Sequence, residues 1–266
     1  MRFKTLSQFR RPEPLKSVLG NLPRTISMAA YAKAKAFKIS ELVRDIFKES
    51  YEWYGFTLAD PARPEFIIDV GLPENDMNLR DYTTLGAMRI AEFHESLPKD
   101  RIVNGWIHSH GALNYKHFST TDEKNNRTVL DFVAAGTRMP LAKMEIPIQN
   151  LVLLEKGQFV EKELAKGTVS LITDKPIAEA KILETVYGSF CYSIIIGDSG
   201  WHIQKIYFRE RGALTGDRSE TNITADIEFV DTLRTLTPDE IQTIANEVKV
   251  KIQPNLNPPP ELIERM

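Results

Sequence analysis

The sequence predicts a mixed α/β (α+β) protein with a mixed central sheet flanked by helices. In the first half of the chain, segments with apolar residues at helical spacing alternate with short stretches rich in β-branched and aromatic residues. The second half contains mainly short strand patterns with glycine turns. The 266 residues suffice for one large domain, or for a core domain with attachments.

The first half predicts three helices and three strands. The segment 27–50 contains no Gly or Pro and has apolar residues at helical spacing, which favours one long helix or two abutting ones. The helix that begins at 120 is closed by Gly136. The predicted helices are 27–50, 82–98 and 120–136, and the predicted strands are 51–60, 65–73 and 101–110.

The second half predicts strands and one terminal helix. Residues 150–176 indicate short strands, and the apolar runs on either side of "GDSG" indicate a hairpin over 191–208. Thr237, Pro238 and Glu240 occupy the N-cap, N1 and N3 positions of a capping box, so a helix should follow them. The tail after it is proline-rich and is expected to be either extended and exposed to solvent or laid along another surface.

Composition narrows the functional class. The net charge of −2 does not favour nucleic acid or membrane as the main partner. The single cysteine, Cys191, excludes an internal disulfide and a cysteine-type zinc site, and it fits a cytoplasmic location. No apolar run approaches the roughly 20 residues of a membrane helix, and the basic amino terminus lacks the apolar stretch of a secretory signal.

The stretch "GWIHSHG" carries two histidines one residue apart. Residues i and i+2 of a strand point to the same face, so His108 and His110 should project together. Asp122 follows at the start of the next helix, where its carboxylate can complete a three-ligand metal site with one open position.

The tetrapeptide "STTD" also fits a purely structural role. Ser119 and Asp122 have the N-cap and N3 spacing of a capping box. Thr120 and Glu123 have the same spacing one residue later, so the helix could be capped by Thr120 while Ser119 and Asp122 face the site.

Together, "YEWYGFTLAD", "GWIHSHG" and "STTD" resemble the three-part motif of the JAMM metalloproteases, the catalytic JAB/MPN family. In that family a Glu in an early strand is followed by H-x-H and then S-x-x-D. The resemblance covers about 27–136 and resumes at the hairpin 191–208. It implies a cytidine-deaminase-like core.

The resemblance also implies residue roles. His108, His110 and Asp122 correspond to Zn²⁺ ligands, Ser119 to the donor that stabilises the oxyanion, and Glu52 to the general acid/base. The competing carboxylates for the last role are Glu41, Glu49 and Glu65, but only Glu52 lies in the "E-W-Y-G" context.

Two features depart from the family pattern. The loop between His110 and Ser119 is one residue longer than usual, and Gly111 stands where many members have Pro. His117 lies in this loop and either lines the cleft or is simply exposed, whereas His94 and His202 are expected to be structural or surface residues.

The expected organisation has five segments. A basic flexible arm (1–24) precedes the first part of the core (25–136), and an insertion (137–188) separates it from the closing hairpin (189–232), which is followed by the terminal helix and tail (233–266). The resemblance implies a substrate with a flexible carboxyl-terminal tail, such as a ubiquitin-like or sulfur-carrier protein. Nothing in the sequence predicts the oligomeric state.

Two other functions are compatible with parts of the pattern. A non-catalytic MPN scaffold would bind protein partners, but such proteins usually lack the catalytic residues that are present here. An unrelated H-x-H metallohydrolase with a barrel fold would need further His and Asp ligands at the ends of later strands, and beyond the cluster only His202 follows.

Overall fold

The computed structural model describes residues 14–80, 82–83, 86–146, 151–163, 165–166, 169–177 and 180–254. These residues form two compact units. The larger unit contains the described residues of 22–139, 188–210 and 219–266, and the smaller one contains those of 1–21, 140–187 and 211–218.

Helices and strands alternate up to residue 133, after which strands predominate. In chain order the elements are β1 (Lys16–Val18), β2 (Ile26–Ala29), α1 (Ala30–Phe47), β3 (Tyr54–Ala59), β4 (Phe66–Ile67), β5 (Asp69–Gly71), α2 (Ala87–Ser96), β6 (Ile102–Ser109), α3 (Thr120–Val133), β7 (Met139–Ile146), β8 (Leu151–Glu155), β9 (Val169–Thr173), β10 (Ile182–Ile196), β11 (His202–Gly212), β12 (Arg218–Thr224), β13 (Ile227–Val230) and α4 (Pro238–Lys251).

The main sheet of the larger unit is mixed, and β6 lies at its centre. The strand order is β10-β6-β3-β5, with β11 added on β10 and β12 on β11. Strand β6 runs antiparallel to β3 and parallel to β10, and His108 lies opposite Tyr54 on one side and Ile195 on the other. The mixed sheet with flanking helices confirms the coarse fold prediction.

Alternation along the strands divides the buried side chains between two cores. Ile107, Tyr192 and Ile194 pack on one face with α1 and α4. Their neighbours Trp106 and Cys191 pack on the other face with α2 and α3. Because β6 and β10 are covered on both faces, nearly every residue of β6 and of the second half of β10 is buried.

The predicted helix 27–50 begins three residues late. Residues 27–29 belong to β2, which pairs in parallel with both β13 and β4. Ile26 and Met28 are buried, so the first part of this segment is used as a central strand instead of a helical turn. Local propensity could not show this, because the pairing partners lie about 40 and about 200 residues further along the chain.

Two other predicted elements are shorter or divided. The predicted strand 65–73 is two short strands, β4 and β5, which belong to different sheets. The predicted helix 82–98 begins at Ala87, because Gly86 is the extended N-cap residue. The predicted hairpin is present with longer arms, since β10 begins at Ile182 and β11 ends at Gly212.

The smaller unit contains short strands. β1 pairs antiparallel with β7, and β8 pairs in parallel with β9. Lys16–Val18, which fall in the predicted arm, thus form a strand, while residues 1–13 lie outside the described part of the chain. Most of this unit comes from residues 140–187, within the predicted insertion 137–188.

None of the four α-helices among the described residues is both long and apolar enough to cross a lipid bilayer.

The terminal helix α4 has the predicted capping box. Thr237 Oγ1 accepts a hydrogen bond from the Glu240 backbone N–H at 3.2 Å, and Glu240 Oε2 accepts one from the Thr237 N–H at 2.9 Å. Glu240 Oε1 also accepts bonds from Arg234 and from the Tyr31 hydroxyl of α1. The Thr237 bond and these partners lower the pKa of Glu240 to about 2. One carboxylate therefore both caps α4 and ties it to α1.

We expect Glu240→Gln to lower the thermal midpoint of unfolding at pH 7. Because the pKa of Glu240 is lower in the folded protein than in the unfolded one, its stabilisation is present above about pH 4.5 and is lost as the pH falls toward 2. The difference between wild type and variant, measured by circular dichroism, should therefore shrink between pH 7 and pH 3. Glu247→Gln, on the same helix, should show a smaller difference at pH 7; an equal effect of both variants would contradict the assignment.

Candidate metal centre

Three buried side chains with metal-binding chemistry converge at one end of β6. His108 lies near the end of β6, His110 directly follows it, and both point to the face that α3 covers. Asp122 lies in the first turn of α3. The candidate ligand atoms of the three residues all lie within 4.8 Å of one another, and the group can hold a metal ion.

The distances in this cluster fit a shared cation. His108 Nε2 is 3.1 Å from His110 Nε2 and 3.1 Å from Asp122 Oδ1, and His110 Nε2 is 3.7 Å from Asp122 Oδ2. Metal–ligand bonds of about 2.0–2.2 Å in a tetrahedral arrangement separate neighbouring ligand atoms by about 3.3 Å. The observed spacing is therefore close to that of a first coordination sphere.

The tautomer of His110 is set by its loop. Its Nδ1 atom lies 2.7 Å from the backbone carbonyl of Tyr115. A carbonyl only accepts hydrogen bonds, so Nδ1 carries the proton and the Nε2 lone pair faces the cluster. A carbonyl partner of this kind is a usual support for a metal-ligating histidine.

His108 is held in a different way. Its ring stacks on the Trp106 indole with centroids 4.4 Å apart and an interplanar angle of 15°. The buried Nδ1 atom of His108 has no hydrogen-bond partner among the described residues. The ring is thus oriented by stacking on one face, while its Nε2 atom is directed at Asp122 and His110.

The electrostatics favour ligand-competent protonation states for two of the three residues. Burial lowers the pKa of His108, although Asp122 partly opposes this, so its imidazole is neutral at pH 7. Burial acts to raise the pKa of Asp122, but the hydrogen bonds with both histidines outweigh it and hold that pKa far below the usual range. Burial also acts to lower the pKa of His110, but the Asp122 bond, the Tyr115 carbonyl and Glu52 together raise it. The raised pKa favours a proton on the His110 ring, and a divalent cation would displace that proton on binding.

Ser119 caps α3, which decides between the two capping frames that the sequence left open. Ser119 Oγ accepts a hydrogen bond from the Asp122 backbone N–H at 3.1 Å, and Asp122 Oδ2 accepts one from the Ser119 N–H at 2.7 Å. The N-cap residue is therefore Ser119 and not Thr120, which already lies within the helix. The capping box does not remove Asp122 from the cluster, because its Oδ1 atom remains directed at His108.

Glu52 lies two residues before β3 and not within that strand. Tyr54 is the cross-strand partner of His108, and the Ser109 N–H donates to the Trp53 carbonyl at 2.8 Å. If this antiparallel register is continued by two residues, Glu52 lies opposite His110 and on the same face of the sheet. Its side chain is buried, and its charge acts on the His110 ring. The competing carboxylate Glu65 follows β3 in the sequence, and its side chain is exposed.

Residues that the motif did not indicate connect the two elements that carry the candidate ligands. The Trp106 indole N–H donates to Asn126 Oδ1, which links β6 to α3 in the buried interior. Asn126 lies four residues after Asp122, on the same face of the helix, and that spacing was available in the sequence. Nothing in the sequence could indicate the Tyr115 carbonyl, since every residue carries one.

Gly111 adopts a backbone conformation that proline cannot adopt. Its φ of +54° lies in the left-handed region, whereas proline fixes φ near about −65°. An added Cβ would also lie 2.6 Å from Ser50 Oγ. The Gly111 carbonyl accepts a hydrogen bond from the Asp198 N–H at 2.9 Å, so the turn after His110 is bound to the β10–β11 turn.

The remaining histidines lie outside the cluster. His117 is exposed, with its ring 5.5 Å from that of Tyr115. His94 is exposed on α2. His202 is half-buried on β11, and its Nδ1 atom lies 3.0 Å from Gln204 Oε1.

A scan against models of known protein families finds no match for this chain, and a search of curated proteins finds no relative.

We expect one divalent metal ion per chain in purified protein, measured by elemental analysis. His110→Ala and Asp122→Asn should each weaken metal affinity by more than about tenfold, because each removes a direct ligand. His94→Ala removes an exposed imidazole of the same type and should leave the affinity unchanged. Equal metal retention by the His110 and His94 variants would show that the cluster is not the metal site.

Proposed function

We propose that this chain is a zinc-dependent metallopeptidase or isopeptidase, a hydrolase of peptide or isopeptide bonds. The observation that carries the proposal is the buried group of His108, His110 and Asp122, with Glu52 level with His110 on the same face of the sheet. The resemblance of the three-part motif to the JAMM metalloproteases supports the same reaction.

Zinc is the metal that this donor set suits best. Two imidazoles and one carboxylate at near-tetrahedral spacing are common catalytic zinc ligands. Three protein ligands leave a further coordination position for the reaction. When bound there, zinc would polarise a carbonyl group and lower the pKa of water from about 15.7 toward about 7.

Glu52 is proposed as the general acid/base. A carboxylate beside the open position can take a proton from the attacking water and later deliver it to the leaving amine. The buried setting of Glu52 strengthens its electrostatic action on nearby groups, as its effect on His110 indicates.

Ser119 is proposed as the donor to the developing oxyanion. Its Oγ atom accepts a hydrogen bond from the Asp122 N–H, and this bond uses only a lone pair. A serine hydroxyl also has one proton to donate. Capping and oxyanion stabilisation are therefore compatible, and the cap fixes Oγ at the same helix terminus that holds Asp122.

The proposed substrate is a protein or peptide with a flexible carboxyl-terminal tail, of the ubiquitin-like or sulfur-carrier type. This part of the proposal rests on the family resemblance alone. A cytoplasmic location likewise stays a prediction from the single cysteine.

We expect Glu52→Gln to lower turnover by about 10²–10⁴-fold, because it removes the proton-transfer group, while the zinc content stays near one per chain. Turnover would be measured on a panel of ubiquitin-like proteins, each carrying a fluorescent group on its carboxyl-terminal tail. Glu65→Gln is the matched control and should retain activity. Full activity of the Glu52 variant, or loss of its zinc, would refute the assigned role.

Ser119 can be tested by separating its two roles. Ser119→Gly should cost only a few tenths of a kcal/mol in the free energy of unfolding, because Gly is an acceptable N-cap residue, whereas Ser119→Ala should cost about 1 kcal/mol. Both should lower turnover by about 10²–10³-fold, since both lack the hydroxyl. Chemical denaturation and steady-state kinetics measure the two effects; turnover that follows stability alone would leave Ser119 with only the capping role.

A further inference from the structure

A groove of about 440 Å³ lies in the larger unit between the β6–α3 loop and strand β11. Lys116, His117 and Phe118 line one side. Residues 202–205 of β11 and Thr224 of β12 line the other side. The volume is within the range of about 300–1,000 Å³ that is usual for ligand pockets.

The groove adjoins the metal centre. The loop 115–119 forms one of its sides, and both ends of that loop bind metal-centre residues, through the Tyr115 carbonyl at His110 and the Ser119 N–H at Asp122. Trp201 provides a second link: its ring lies 6.1 Å from the His110 ring, and the Lys116 ammonium lies 5.8 Å from its centroid. The groove and the metal centre therefore share the loop 115–119, which lines the groove and is bound at both ends to the metal centre.

The groove carries positive charge without an acidic side chain in its lining. Lys205 is already paired with Glu123 at 2.5 Å, so its charge is largely matched. Lys116 is exposed and forms no salt bridge with any described residue. The imidazoles of His117 and His202 add hydrogen-bonding groups on either side. Lys116 therefore supplies most of the unpaired positive charge of the groove, on the side nearest to the metal centre.

The wall formed by β11 belongs to the interior of the sheet. Strand β11 is paired with β10 on one side and with β12 on the other, so it is not an edge strand. Gln204 Nε2 donates to the Ala225 carbonyl at 2.7 Å, which directs Gln204 Oε1 to the Nδ1–H of His202 at 3.0 Å. Recognition in this groove must therefore depend on side-chain charge more than on strand addition.

The aromatic residues do not suit nucleic-acid bases. The Lys205 ammonium covers the Phe118 ring at 4.7 Å, and that of Lys116 lies over the Trp201 ring. Single-stranded nucleic acids require open aromatic faces on which bases stack. The covered rings and the single unmatched lysine favour a peptide as the occupant.

We propose that this groove holds an acidic stretch of the substrate polypeptide, directly next to the bond that the metal centre cleaves. The proposal rests on the proposed peptidase function and adds a substrate class to it: polypeptides with glutamate or aspartate residues beside the scissile bond.

Binding can be measured without cleavage. Zinc-loaded Glu52→Gln protein is titrated into two rhodamine-labelled decapeptides, one with four glutamates and one with glutamine at the same positions, and anisotropy is recorded. We expect the glutamate peptide to bind about threefold to tenfold more tightly, and Lys116→Glu to abolish this preference. Lys249→Glu, an exposed position on α4, makes the same change in net charge and should have no effect.

The outcomes separate the groove from the catalytic proposal. Equal affinity for both peptides, a preference that survives Lys116→Glu, or tighter binding of a ten-nucleotide single-stranded DNA would overturn the groove assignment. Cleavage of neutral ubiquitin-like fusions by the wild-type protein, together with equal peptide affinities, would support the peptidase function and refute the groove assignment. A glutamate preference that depends on Lys116, with no cleavage of any fusion, would leave the acidic-peptide groove and refute the peptidase.

Discussion

The two oxygens of the Asp122 carboxylate connect the local start of a helix to the long-range geometry of the site. Oδ2 closes the capping box of α3 with the Ser119 N–H, and Oδ1 faces His108 on β6. A carboxylate at a helix N-terminus is also stabilised by the helix dipole. Because the same side chain serves both purposes, the position at which α3 begins determines where the third candidate metal donor lies.

The sheet supplies the other half of this arrangement. Alternation along β6 sends Ile107 into one core and Trp106 and His108 toward α3. Trp106 then orients the His108 ring by stacking, and its indole N–H binds Asn126 on the helix. The polar cluster is thus built on the edge of a packed apolar core, where the low dielectric makes charge pairing strong and leaves little freedom for the donors to separate.

The loops beyond β6 form the walls of the site and are bound to each other. The backbone at Gly111 binds the β10–β11 turn at Asp198, and Ser50 Oγ donates to the Asp198 carboxylate at 2.7 Å. Trp201 in the same turn lies beside both His110 and Lys116. The segment between His110 and Ser119 therefore has fixed ends, which hold the start of α3 beside the histidines.

The sequence by itself determined the local features of this protein. The i, i+2 histidines on a strand, the capping signal at Thr237 and the hairpin around "GDSG" follow from short-range geometry, and each was readable from a few neighbouring residues. Tertiary structure decided which of two capping frames α3 uses, that residues 27–29 form a strand, and that Glu52 comes level with His110. These outcomes depend on the pairing of segments far apart in the chain, and the burial and hydrogen-bond energies of such pairings outweigh the small differences in local propensity.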